Sequence, residues 1–150
     1  MTGDRILVRP FRQTDLTDWF RMRKALWDAT SDEDHHAELL DILDHADSQL
    51  VLVAERNGKL IGFLEASIRP FVEDCRTENV GYLEGWYVED EFRRTGVGRE
   101  LVRQAENWAR QKGCVEMASD AELGNEQSIA AHNKLGYGET SRLIHFRKDL

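Results

Sequence analysis

Tyr87-Val88-Glu89-Asp90-Glu91-Phe92-Arg93-Arg94-Thr95-Gly96-Val97-Gly98-Arg99-Glu100-Leu101 joins an apolar run, residues 80–88, to an amphipathic run with helical spacing. The joint is cationic and bare of side chains at Gly96 and Gly98. Such a strand, turn and helix suits an anion: glycines admit a close backbone, the first helical N–H groups lack internal partners, and the helix dipole favours negative charge there. A pyrophosphate fits. Glycine turns also begin ordinary helices, and the arginines on the same turn are what favour the anion. The spacing is neither GxxxxGK[ST] nor GxGxxG.

Downstream of the joint, a helix is expected over residues 96–112, with Val97, Leu101, Val102, Ala105, Trp108 and Ala109 on one side and Gly113 as its stop. Residues 114–118 read as a strand ending at Ser119-Asp120, and Asn125 caps a helix that runs through Leu135 to Gly136. Residues 137–150 read as two further strands around 138–141.

Upstream, residues 80–88 form a strand with an anomaly: Glu84-Gly85 among apolar and aromatic neighbours. A glycine inside a strand marks a bulge or a close approach, so the carboxylate beside it is a site candidate. Before it come a strand over 50–54, the hairpin turn Asn57-Gly58 and a strand over 59–68 closed by Pro70. Ser31, followed by three acids, starts a helix carrying Leu39, Leu40, Ile42, Leu43 and Ala46 inward. Its other face, Glu38, Asp41, Asp44 and Asp47, either meets solvent or lines the entry for a cation. The chain begins with a strand over 6–8 stopped by Pro10 and a helix capped by Thr14 or Asp15 that ends near Trp27. Trp27 is either core or the wall of a site.

A length of 150 residues suits a single domain spanning 1–150. Asp and Glu number 28 against 20 Lys and Arg, a net charge of −8, which disfavours nucleic acid and anionic membrane and favours cationic partners, although acidity also merely keeps a protein soluble. No apolar run approaches the roughly 20 residues of a spanning helix, and the opening Met1 to Arg5 has no long apolar segment, so a cytoplasmic location is expected. Cys75 and Cys114 lie far apart and His35-His36 has no ligand spacing around it, so neither a disulfide framework nor a metal is expected.

Arg93-x-x-Gly96-x-Gly98 resembles the acetyl-CoA pyrophosphate loop of the GNAT superfamily of N-acetyltransferases. The element order β-α-α-β-β-β-α-β-α-β and the run Ala130-Ala131-His132-Asn133-Lys134-Leu135-Gly136-Tyr137 extend that resemblance over nearly the whole chain. Leu26-Trp27, Leu64-Glu65-Ala66-Ser67-Ile68-Arg69, Tyr82-Leu83-Glu84-Gly85, Met117-Ala118-Ser119-Asp120 and Phe146-Arg147-Lys148 are similar to the chromosomal, homodimeric aminoglycoside 6'-N-acetyltransferases. The loop over 71–79 and Ser141, where some members carry an acid, depart from that subgroup.

The resemblance implies an α+β fold: a central mixed, mostly antiparallel twisted sheet, splayed between strands four and five and flanked by helices. It implies acetyl-CoA as co-substrate, with pyrophosphate on Arg93, Arg94, Gly96, Val97, Gly98 and Arg99, the thioester near Tyr87 and Val88, and Asn125 and Tyr137 beside the cofactor. An aminoglycoside would meet Trp27, Phe71, Glu84 and Asp120, and the two acids and His132 are the catalytic candidates. His132 stands where many members place a tyrosine serving the cofactor sulfur; a lone helical histidine also serves structure. A carboxylate near pKa of about 4 is a weak base for an ammonium near about 10, so holding substrate matters more than a dedicated base. Acetylation of a polyamine, peptide or protein lysine, or cofactor binding without turnover, are the rival readings.

Overall fold

The computed structural model describes residues 5–150, so Met1 to Asp4, part of the opening stretch considered for a leader, lie outside the described residues. The elements are β1 (Ile6–Pro10), α1 (Leu16–Leu26), α2 (Asp32–Asp44), β2 (Gln49–Arg56), β3 (Lys59–Arg69), β4 (Val80–Val88), α3 (Val97–Gln111), β5 (Met117–Ser119) and α4 (Glu126–Lys134). They build one five-stranded sheet in the order β1-β2-β3-β4-β5. Asn57 and Gly58 take φ of 52° and 78°, the mirror-image turn whose twist matches the hairpin β2–β3. The first four strands pair antiparallel, and β5 joins β4 in parallel.

Alternation along β2 explains the two-sided core. Val51 and Val53 face Trp19 and Met22 of α1 and Leu39 of α2. Leu52 and Ala54 face Leu101, Val102 and Ala105 of α3. Trp19, Met22, Phe63, Leu64 and Leu101 are fully buried, each side chain stabilising the fold by about 1.5–3 kcal/mol through water exclusion.

The β4–β5 ladder is short. Pairing runs from Gly81–Met117 to Leu83–Ser119 and stops, while β4 continues to Val88. Among the described residues, 84–88 therefore have no strand partner on that side. The splay expected between strands four and five lies there, beside the turn into α3.

Three expectations change. Asp15 does not cap α1; its carboxylate is buried and accepts from Arg9 at 2.7 and 2.9 Å and from the Arg12 amide at 2.7 Å. Leu40 is exposed, and the inward face of α2 instead begins with a buried histidine, His35. Residues 138–150 are irregular and exposed throughout. Their alternating pattern suits a strand, but a strand needs an edge, and β5 offers three residues.

Candidate active site

Glu84 is the extra residue of a β-bulge. On β3, Glu65 pairs with Gly85 and the next residue, Ala66, pairs with Leu83. A bulge re-aims the residue it leaves unpaired. The Glu84 carboxylate accepts Ser67 Oγ at 2.6 Å on Oε1, Arg69 Nε at 2.9 Å on Oε1 and Arg69 Nη2 at 2.7 Å on Oε2. Gly85 answers the other half of the anomaly: Trp27 is packed so closely that no side chain fits there.

Trp27 and Glu84 line one cavity of about 470 Å³, together with Arg23, Glu38, Asp41 and Glu65. Glu65 is committed to the fold. It takes a two-pronged bond from Arg23 at 2.7 and 3.0 Å and the Trp19 indole N–H at 2.9 Å. Burial opposes the Arg23 charge, yet its bonds to Glu65 and Glu38 prevail and raise its pKa. The guanidinium also lies 4.7 Å from the centre of the Trp27 ring. His35 completes the support, with Nδ1 at 3.0 Å from Arg23 Nη1 and Nε2 at 3.1 Å from the Trp27 carbonyl. Arginine only donates and a carbonyl only accepts, so His35 is neutral with its proton on Nε2.

Phe71, Asp120, His132 and Tyr137 line a second, larger groove of about 1330 Å³. Asp120 follows the end of β5 and accepts Tyr82 Oη at 2.5 Å. Burial first, and this bond second, push the Tyr82 phenol well above the usual tyrosine range. His132 donates from Nδ1 to the Ser128 carbonyl at 2.7 Å, and its Nε2 lies 2.8 Å from Ser119 Oγ, whose hydroxyl also reaches the Leu83 carbonyl at 3.4 Å. Trp86 and Tyr137 meet its ring edge-on, with centroids at 5.7 and 5.9 Å. Tyr137 is itself tied to α3, its hydroxyl donating to Glu106 at 2.8 Å.

The expected cofactor residues stand apart from both depressions: Tyr87, Val88, Arg93, Arg94, Gly96, Val97, Gly98, Arg99 and Asn125 line neither. Arg93 donates to the Val88 carbonyl at 2.8 Å and pairs with Asp90 at 2.9 Å, fastening the turn to the end of β4. Gly96 is left-handed, φ 90°, and α3 starts there without a side-chain cap. Gly98 has a packing reason of its own, since a Cβ would stand 2.9 Å from the Trp86 ring. Asn125 caps α4, accepting the Ser128 amide at 3.1 Å.

Sequence reasoning missed Arg23, His35, Glu65, Ser67, Arg69 and Tyr82. Glu65 carried a signal, for it interrupts the apolar run of β3 as Glu84 interrupts β4. Arg69, at a strand end, carried none. Of the acidic face of α2, Glu38 and Asp41 line the cavity beside Trp27, and Asp44 and Asp47 line neither depression.

Residues 16–137 match the model of the acetyltransferase (GNAT) family. An aminoglycoside N(6')-acetyltransferase type 1 from Klebsiella aerogenes is 44% identical over 147 residues, 96% of this chain and 97% of that protein. Its counterpart from Acinetobacter genomosp. 13 is 40% identical, with 95% and 98% covered. Among solved structures, AAC(6')-Iy in complex with the bisubstrate analog CoA-S-monomethyl-acetylneamine has a TM-score of 0.91 at 38% identity, covering 97% of this chain and 99% of that one. Glucosamine-6-phosphate N-acetyltransferase from Arabidopsis thaliana, with a TM-score of 0.72 at 19% identity, shares the fold. With relatives this similar over nearly their whole length, the chain belongs to the acetyltransferase (GNAT) family.

Proposed function

We propose that this enzyme transfers acetyl from acetyl-CoA to the 6'-amino group of aminoglycosides by direct attack in a ternary complex, so conferring resistance. The observation that carries the reading is the bulge: it sets the Glu84 carboxylate in the lining of the cavity that Trp27, Glu38 and Asp41 also line, the chemistry an ammonium-rich sugar needs. The relatives named for this activity, and the structure with a CoA-linked neamine analog, support it. Acetylation removes one charge from a polycation, which weakens its hold on ribosomal RNA.

The turn into α3 fits a pyrophosphate, with an uncapped helix start at Gly96 and with Arg94 and Arg99 holding no ion pair among the described residues. In the reaction a C–N bond forms, the thioester C–S bond breaks, the amine gives up a proton and the thiolate takes one. Glu84 and Asp120 hold the substrate ammonium groups. His132, fixed through both ring nitrogens, exchanges a proton with the reacting groups by way of Ser119.

The same reading places the enzyme in the cytoplasm as a homodimer. No helix among the described residues is long and apolar enough to cross a membrane. Leu143, Ile144 and Phe146 are exposed at 53, 77 and 91%, which supports a C-terminal segment that pairs with a second copy. A monomeric mass in solution would contradict the dimer.

Glu84→Gln and Asp120→Asn test the site. Each is expected to raise the aminoglycoside KM at least about tenfold, the worth of a charged hydrogen bond, while the acetyl-CoA KM stays near wild type. Equal changes in both constants would point to misfolding and end the assignment.

A further inference from the structure

The register of the sheet puts Ser67, Arg69, Tyr82 and Glu84 on one face of its centre, next along β3 from the buried Glu65. Ser67 and Arg69 are two apart on β3 and so point the same way, Tyr82 lies opposite Ser67, and the bulge adds Glu84. On β5, Ala118 pairs with Tyr82, so Asp120, two residues further, follows that face. These residues are joined. Arg69 grips Glu84 with Nε and Nη2 at 2.9 and 2.7 Å. Its guanidinium carbon lies 3.6 Å from the centre of the Tyr82 ring, and Tyr82 donates to Asp120 at 2.5 Å. One arginine thereby touches both arms of the site, one directly and one through a phenol.

The bonds also define what is left for a ligand. A carboxylate offers about four acceptor positions. On Glu84 three are filled, two on Oε1 and one on Oε2. Asp120 gives Oδ2 to Tyr82. The open positions are therefore one on Glu84 Oε2 and three on Asp120, one on Oδ2 and two on Oδ1, so that two held carboxylates stand in place of two freely rotating acids. Arg69 and Glu84 also form the seam between the two depressions, Arg69 lining the groove and Glu84 the cavity.

We propose that Arg69 is a positioning residue that, through its fork on Glu84 and its stack on Tyr82, fixes the spacing and aim of the two carboxylates that select the acceptor amine. This rests on the reading that Glu84 and Asp120 hold that amine. Arg69 works by geometry as well as charge. Lysine keeps the charge and has neither the fork nor the flat face.

The test is steady-state kinetics with tobramycin and acetyl-CoA on Arg69→Gln, Arg69→Lys, Tyr82→Phe and the Arg69→Gln/Tyr82→Phe pair, beside Glu84→Gln and Asp120→Asn. Arg69→Gln is expected to raise the tobramycin KM about tenfold with the acetyl-CoA KM within about twofold, Arg69→Lys to recover little of it, and Tyr82→Phe to raise it about threefold. The double variant is expected to be scarcely worse than Arg69→Gln alone, because both act through one device. An unchanged or lower tobramycin KM in Arg69→Gln, full recovery by lysine, independent effects in the double variant, or a parallel rise in both KM values would each overturn the proposal. If Glu84→Gln and Asp120→Asn leave the tobramycin KM unmoved, the reading of the site itself fails and the proposal falls with it. If they raise it and Arg69→Gln does not, the positioning role alone is lost.

Discussion

The Trp27 indole fills the space above Gly85: a Cβ on Gly85 would stand 2.4 Å from Trp27 Cη2 and 2.6 Å from Cζ2. Gly85→Ala must therefore push the ring off its seat. Overpacking of this kind costs about 1–3 kcal/mol, and here it falls on the wall of the cavity. The aminoglycoside KM is expected to rise about fivefold with acetyl-CoA kinetics preserved. A variant indistinguishable from wild type in both constants would remove Trp27 from the substrate site.

Beneath Trp27, the Arg23–Glu65 pair is sealed from water, each side chain 4% exposed. Removing one partner of a buried pair costs roughly 3–5 kcal/mol, whereas replacing both by apolar groups costs far less. Glu65→Leu should lower the denaturant midpoint markedly, and Arg23→Met/Glu65→Leu should restore much of it. If the double change is the worse of the two, Glu38 and His35 rather than Glu65 are the partners that matter to Arg23.

How much of this was legible differs by residue. Glu84-Gly85 stood out because a carboxylate and a glycine have few structural reasons to share an apolar strand, and the structure supplies both reasons, the bulge and the indole. Ser31 and Asn57-Gly58 acted locally, so the sequence carried their cap and their turn. Arg69 was silent because its partner is set by the cross-strand register and the bulge. His35 was masked by the acids around it, which read as a solvated helix start although the ring is fully buried. The alternation in 138–150 reports a strand's chemistry, and the edge such a strand requires is not offered by the three residues of β5.

Asp15 makes stability depend on pH in acid. Its hydrogen bonds to Arg9 come first among the causes that hold its pKa below the usual 3.8 against the opposing effect of burial. A depressed carboxylate stabilises the fold fully above its unfolded value and loses that contribution as pH falls through the folded one. The gap in unfolding free energy between wild type and Asp15→Asn should be constant between about pH 5 and 8 and shrink below 3.8. A gap that widens in acid would show the sign to be wrong.

Gly96 offers a test of the cofactor turn that separates charge from backbone strain. Asparagine and aspartate share a shape and both tolerate the left-handed region, where Gly96 sits at φ 90° with nothing near its missing Cβ. Gly96→Asn should keep most acetyl-CoA affinity. Gly96→Asp sets a negative charge against phosphate and should weaken binding at least about tenfold, more so at low salt. Equal affinities for the two variants would move the pyrophosphate elsewhere.

The most direct measurement is thiol release from acetyl-CoA by the wild-type enzyme, comparing kanamycin and tobramycin with their 6'-hydroxyl analogues, spermidine and a lysine peptide. The account predicts steady release with the 6'-amino compounds and none with their 6'-hydroxyl analogues, spermidine or the peptide. Release with spermidine or peptide in place of the antibiotics, or none with any amine, would contradict it.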